Sequence, residues 1–279
     1  MIWVERNKKF VKEIREYIQC FENQKPDIFT YFDGSRSYTF PFSIESESGL
    51  KLLLIYASLY QDLSEEHLSE YVIKLYQQYK EELFNLEEVS FADLQSYTMS
   101  EAKKYRWELT PKIPGILKSL TDFFSQVKEL NRYLQQGIDT EKIVYQLTHK
   151  IFYMGKTSLN KFKSRYFMWL VLNVYSEWSS FLWTEKSLLP ITPGAQRFLY
   201  FLGPLKSSRG TAVSQRERIK VMSQLFKKIE PREPWRYFTA FESFQKPLST
   251  FSNVLYQCQK VLNGCENCPI TNECQGDLF

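Results

Sequence analysis

Four of the five cysteines in this 279-residue chain lie in its last 22 residues, as Cys258, Cys265, Cys268 and Cys274. The spacing is Cys-x6-Cys-x2-Cys-x5-Cys, and the compact part reads Cys265-Glu-Asn-Cys268-Pro-Ile-Thr-Asn-Glu-Cys274. Thiolates this close can converge on one metal centre, which commits the segment to folding around that centre. Paired disulfides suit secreted chains. The opening run Met1-Ile2-Trp3-Val4-Glu5-Arg6-Asn7-Lys8-Lys9 lacks the apolar stretch of a secretory leader. No segment reaches the ~18 uninterrupted apolar residues of a membrane span. The nearest, Tyr166 to Trp183, is broken by Asn173, Glu177 and serines. The expectation is a soluble, cytoplasmic protein without a membrane partner, whose thiols stay reduced. A four-cysteine zinc site usually pairs two short hooks, and only one Cys-x2-Cys hook is present. Iron–sulfur clusters are also held by four thiolates and accept uneven gaps. Cys20 stands apart and reads as an ordinary buried thiol.

The remaining pattern is helical. Aromatic residues make up 16% of the chain against 10 glycines and 11 prolines, a balance suited to a packed core of one or two lobes. Leu50 to Tyr60 is apolar nearly all round and predicts a central buried helix. Ser64 followed by Glu65 and Glu66 predicts a capped helix to Tyr79, with Leu68, Tyr71, Val72 and Leu75 on one face. Gly115 to Gln136 reads as one long amphipathic helix, opened by Pro114 and ended by Gly137. Asp139 is placed to cap Thr140 to Ile151. Further helices are expected over Arg165 to Ser179, Gly194 to Leu202, Ser214 to Ile229 and Leu248 to Val261. Phe29 to Phe42 alternates like a small hairpin or an extended segment around Asp33-Gly34.

The cysteine spacing, its C-terminal position and the internal Cys268-Pro269-Ile270 resemble the [4Fe-4S] loop of the endonuclease III and MutY class of helix-hairpin-helix DNA glycosylases. Helix order agrees with that family's plan: Leu50 to Tyr60 followed by Gln61-Asp62 is similar to its apolar helix ending near a glutamine. The resemblance implies an all-α, two-lobe fold and a [4Fe-4S] cluster held by Cys258, Cys265, Cys268 and Cys274. It implies residues 1–47 as an N-terminal extension packing on the cluster lobe, 48–185 as a helical barrel lobe, and 186–279 as the return to the cluster lobe. The family's glycine hairpin falls on Leu159-Asn160-Lys161-Phe162-Lys163-Ser164-Arg165, with lysines in place of both glycines; Met154-Gly155-Lys156-Thr157 is an alternative register. The nucleophilic lysine of bifunctional members falls on Arg165, and the catalytic aspartate on Thr192. An always-charged arginine cannot form a Schiff base, and a hydroxyl cannot supply the charge of a carboxylate. Asp62 and Glu185 are conceivable substitute acids.

Charge distribution bears on the partner. The net charge is only +4, yet Lys142 to Ser176 contains no Asp or Glu, and Lys186 to Phe226 contains only Glu217. Cations clustered without competing anions suit a phosphate backbone. Lys156, Lys161, Lys163, Arg165, Arg197, Lys206, Arg209 and Lys260 are the expected DNA contacts. Tyr153, Tyr166, Phe167, Trp169, Trp178 and Trp183 are available to stack a flipped base, although their helical spacing favours core packing. His67 and His149 are the only histidines, too few for a histidine-based centre. The reading is a monomeric iron–sulfur protein that recognises double-stranded DNA, damaged or modified, with or without a flipped base. A working base-excision-repair glycosylase or abasic-site lyase using other residues is the second reading. A non-catalytic module of a DNA-processing assembly is the third.

Overall fold

A computed structural model describes residues 12, 15, 27–29, 38–61, 63–136, 139–156, 161–182, 187–190 and 215–229. The chain divides into two compact units: Lys25–Ser187, and a discontinuous unit of Met1–Gln24 with Leu188–Phe279. Among the described residues every regular element is helical, and no helix there is long and apolar enough to cross a membrane.

In the unit Lys25–Ser187 the elements run α1 (Glu47–Leu59), α2 (Glu65–Tyr79), α3 (Phe91–Lys103), α4 (Ile113–Val127), α5 (Leu130–Leu134), α6 (Thr140–Lys150), α7 (Phe162–Val174) and α8 (Ser179–Leu182). Helix α1 forms the core that the apolar run predicts. Leu50, Leu52, Leu53, Leu54, Ile55, Ala57 and Leu59 are fully buried, and each Leu or Ile contributes about 2 kcal/mol by leaving water. Helix α1 packs against α7, α4, α2 and α5. Ser46 starts it by accepting the Gly49 amide at 3.0 Å. Gly49 is required there, because a Cβ would collide with the carbonyl oxygens of Ser43 and Ile44.

Helix α2 has the expected boundaries, and Ser64 Oγ accepts the His67 amide. Asp139 caps α6 through the Lys142 amide at 3.0 Å. The long helix expected over Gly115 to Gln136 is two helices instead. Helix α4 stops at Val127, Lys128 turns to φ 58°, and α5 begins at Leu130. The carboxylate of Glu47, on α1, accepts the Leu130 and Asn131 amides at 2.6 and 2.9 Å and so caps the new start. Helix α3 has no counterpart among the expected elements: it buries only Leu94, Thr98 and Ala102, a stripe too narrow to stand out as amphipathic.

The strand-like alternation of Phe29 to Phe42 also resolves differently. Asp27–Phe29 is a single 3-10 turn, residues 38–42 form no strand, and 30–37 lie outside the described residues. The alternating rings Tyr38, Phe40 and Phe42 cluster with each other, and Phe40 and Phe42 meet Tyr76 of α2 edge-on. An aromatic plug satisfies the same two-residue period without a partner strand.

In the discontinuous unit, α9 (Gln215–Ile229) buries Ile219, Met222, Leu225, Phe226 and Ile229. Ser223 Oγ accepts the Leu189 amide, and Arg15 Nε donates to the Ile229 carbonyl at 2.7 Å, placing a cation at the negative end of the helix. The helices expected over Gly194 to Leu202 and Leu248 to Val261 lie outside the described residues.

A candidate nucleic-acid interface on the α6–α7 helix pair

Helices α6 and α7 pack against each other and are joined through residues 151–161, the stretch singled out in the sequence by its cations. Helix α6 turns Ile143, Val144, Leu147 and Thr148 inward. That leaves Lys142, Tyr145, His149 and Lys150 exposed on its other side. Met154 is fully buried, with its sulfur 3.2 Å from Ser58 Oγ. It is bracketed by left-handed φ values of 64° at Tyr153 and 82° at Gly155, which let the neighbouring side chains face outward while Met154 anchors the turn. Helix α7 begins after Lys161, itself at φ 45° and ψ 42°.

The expected cations separate into two groups. Lys156 is exposed and Lys161 half-buried, with Lys161 Nζ 4.8 Å from the Tyr145 ring centre. Lys163 and Arg165 are only 7% and 4% exposed. Lys163 Nζ donates to the Ser58 carbonyl at 2.8 Å and lies 4.9 Å from the centre of the Tyr153 ring. Ser58 is in the last turn of α1, so this ammonium meets a carbonyl that the helix cannot pair by itself. Arg165 Nη2 donates to Glu141 Oε2 at 2.8 Å and its Nε to Oε1 at 3.4 Å, a two-pronged grip on the first turn of α6. These burials place Lys163 and Arg165 inside the fold rather than on a face that a phosphate would meet. They join α7 to α1 and α6, with their charges committed there.

The outer side has a different character. Among the described residues the exposed large apolar side chains are Phe91, Tyr145, Phe152 and Tyr153, and three of the four belong to α6 or the turn after it. Tyr145 is 55% exposed and stacks on His149 with ring centres 3.9 Å apart. Phe152 and Tyr153 are 50% and 41% exposed, with centres 5.8 Å apart. The Phe152 amide donates to Ser119 Oγ at 2.8 Å, which fixes the turn to α4, and its ring lies over Gly115. Lys150 Nζ lies about 6 Å from the rings of Phe123 and Tyr133. Burial pushes the Tyr133 hydroxyl up to about 12, so it stays neutral beneath that cation.

Of the aromatics available for base stacking, Tyr166, Phe167, Trp169 and Trp178 are buried core residues and Tyr153 faces out. His67 packs beside Tyr105. Tyr145 and Phe152 are surface rings that the sequence reading does not pick out. For Tyr145 a signal exists, since it falls off the buried stripe of an amphipathic helix. Asp62, Trp183, Glu185, Thr192, Arg197, Lys206, Arg209 and Lys260 lie outside the described residues, as do Cys258, Cys265, Cys268 and Cys274. Among the described residues no group of His, Cys, Asp or Glu side chains is arranged to hold a metal. Compared with family models, curated proteins and solved structures, the chain matches none.

Proposed function

We propose that the protein is a DNA-binding iron–sulfur protein built on the helix-hairpin-helix glycosylase plan, with a [4Fe-4S] cluster on Cys258, Cys265, Cys268 and Cys274, and that it recognises DNA rather than cleaving a sugar–base bond through a lysine. The observation that supports it most is the outward face of the α6–α7 pair. Exposed Lys142, Lys150 and Lys156 and half-buried Lys161 stand on a segment, 142–176, that carries no acid. The bordering Glu141 is held by Arg165. Such a face offers a polyanion cations with little competing charge. The non-lyase part rests on Arg165, which is permanently protonated and engaged with Glu141 at the position where the resemblance puts an amine nucleophile. The cluster part rests on the thiolate set and its spacing; four soft anions suit iron–sulfur ligation, and the cluster would tie the C-terminal segment into a fixed loop.

Binding of a labelled duplex across a salt series tests the reading. The double variant Lys156→Ala, Lys161→Ala is expected to weaken binding and to lower the salt slope by about one for each phosphate that is no longer neutralised. An Arg165→Met variant that still folds is expected to leave the slope unchanged. A slope unaffected by the double change would remove this face from the DNA interface. Borohydride trapping on an abasic duplex is expected to yield no adduct; a trapped adduct would overturn the non-lyase assignment.

A further inference from the structure

The exposed rings of the α6–α7 turn point to a substrate class more specific than DNA in general. Phe152 and Tyr153 lie side by side at the surface, and Tyr145, stacked on His149, is a further exposed ring on α6. Neighbouring exposed aromatic rings offer an apolar face on which a planar ligand can stack. Within a duplex each base already stacks on its neighbours and presents only edges and phosphates to a protein. Unpaired bases expose their faces, and a ring on a cationic surface takes them regardless of sequence.

The charges that lie over these rings are cationic. Lys161 lies over Tyr145 and Lys163 over Tyr153, while Lys150 and Lys156 are exposed on either side of the turn. The fourth exposed ring, Phe91, has Lys118 Nζ 5.7 Å from its centre, but the exposed acids Glu87, Glu88 and Asp93 are close to it in the chain, which makes its surroundings mixed in charge. On α4 the exposed Asp122 is one turn beyond Ser119, the residue that fixes Phe152. Asp122 limits the cationic, aromatic zone on the α4 side, which suits a site of one or a few nucleotides rather than a long track.

We propose that Phe152 and Tyr153, together with Tyr145 on α6, form a stacking surface for the bases of single-stranded nucleic acid, with Lys156 and Lys161 meeting the phosphates. The proposal rests on the nucleic-acid reading above and deepens it by naming unpaired nucleotides as the ligand of this surface. It is distinct from a base-flipping pocket, because the rings stand on the outer surface while the buried Tyr166 and Trp169 serve the core.

The full-length protein is titrated with three fluorescein-labelled probes at one salt concentration: an oligothymidylate of about twelve nucleotides, an abasic strand of equal length and charge, and a duplex. The expected result is binding of the oligothymidylate about tenfold tighter than the abasic strand. Tyr145→Ala and Tyr153→Asn keep a good helix former and a residue tolerant of positive φ, respectively. They are expected to erase that preference with little change in melting temperature, whereas Tyr153→Trp retains it. Lys156→Ala is expected to weaken all three probes alike. Equal affinity for the thymidine and abasic strands, or a preference for duplex, overturns the platform and leaves the DNA-binding reading standing. No binding of any probe at low salt, with the ring variants changing self-association instead, overturns both and marks the patch as a protein contact.

Discussion

At the scale of single residues, the most consequential side chain is Arg165. It brings a full charge to a site only 4% exposed and grips Glu141 with two nitrogens. Buried pairs gain little over an apolar pair, yet removing one partner is expensive because the other charge stays behind. Glu141→Ala is therefore expected to cost about 3 kcal/mol, read as a lower urea midpoint at unchanged slope. The double variant Glu141→Leu, Arg165→Met is expected to recover most of it. A loss below about 0.5 kcal/mol in the single variant is what an exposed pair would give, and would show the pair to be solvated. Lys163 has the companion role, placing its ammonium against the last turn of α1. Both cations are conspicuous in the sequence as members of a basic run. Their inward direction is not legible there, because the Ser58 carbonyl is 105 residues away and Glu141 is 24 residues away.

At the scale of elements, caps that act within a few residues are readable and those supplied from elsewhere are not. Ser64 and Asp139 announce α2 and α6 because each side chain bonds an amide three residues on. The break between α4 and α5 depends on Glu47, 83 residues before Leu130, so the amphipathic period alone runs straight through it. Lys128 holds a positive φ that only glycine adopts without cost. Lys128→Gly is accordingly expected to raise stability by about 1 kcal/mol, and Glu47→Ala to lower it by about 1–2 kcal/mol through loss of the cap, both by thermal denaturation. Stabilisation by Lys128→Gly would not occur if α4 and α5 were one continuous helix, where glycine costs about 1 kcal/mol. The candidate face is half legible for the same reason. Its acid-free composition is a property of sequence, whereas the exposure of Phe152 and Tyr153 follows from how Met154 anchors the turn in the core.

At the scale of the whole molecule, two compact units share one chain, and the four clustered cysteines belong to the discontinuous one. The unit Lys25–Ser187 has its own apolar core around α1 and α7. Cys265→Ser is expected to abolish the visible absorbance of an iron–sulfur cluster and to lower the unfolding midpoint of the unit that holds it. A transition belonging to Lys25–Ser187 is expected to persist nearly unchanged. Stoichiometric zinc without iron in the purified protein would refute the cluster assignment, and a single transition abolished as a whole would show that the units do not unfold separately.

The division of the chain has a consequence for the order in which the protein is made. Met1–Gln24 is synthesised before Lys25–Ser187 but belongs with Leu188–Phe279, which is synthesised after it. Domains tend to fold as units while the chain is still being synthesised. The helical middle, with its outward rings and lysines, can thus be complete while the leading segment still waits for its other half. Under the proposed cluster assignment, metal delivery to Cys258, Cys265, Cys268 and Cys274 is expected to come after the middle unit has folded. Under the same assignment, iron shortage is expected to leave Lys25–Ser187 folded while the discontinuous unit stays incomplete.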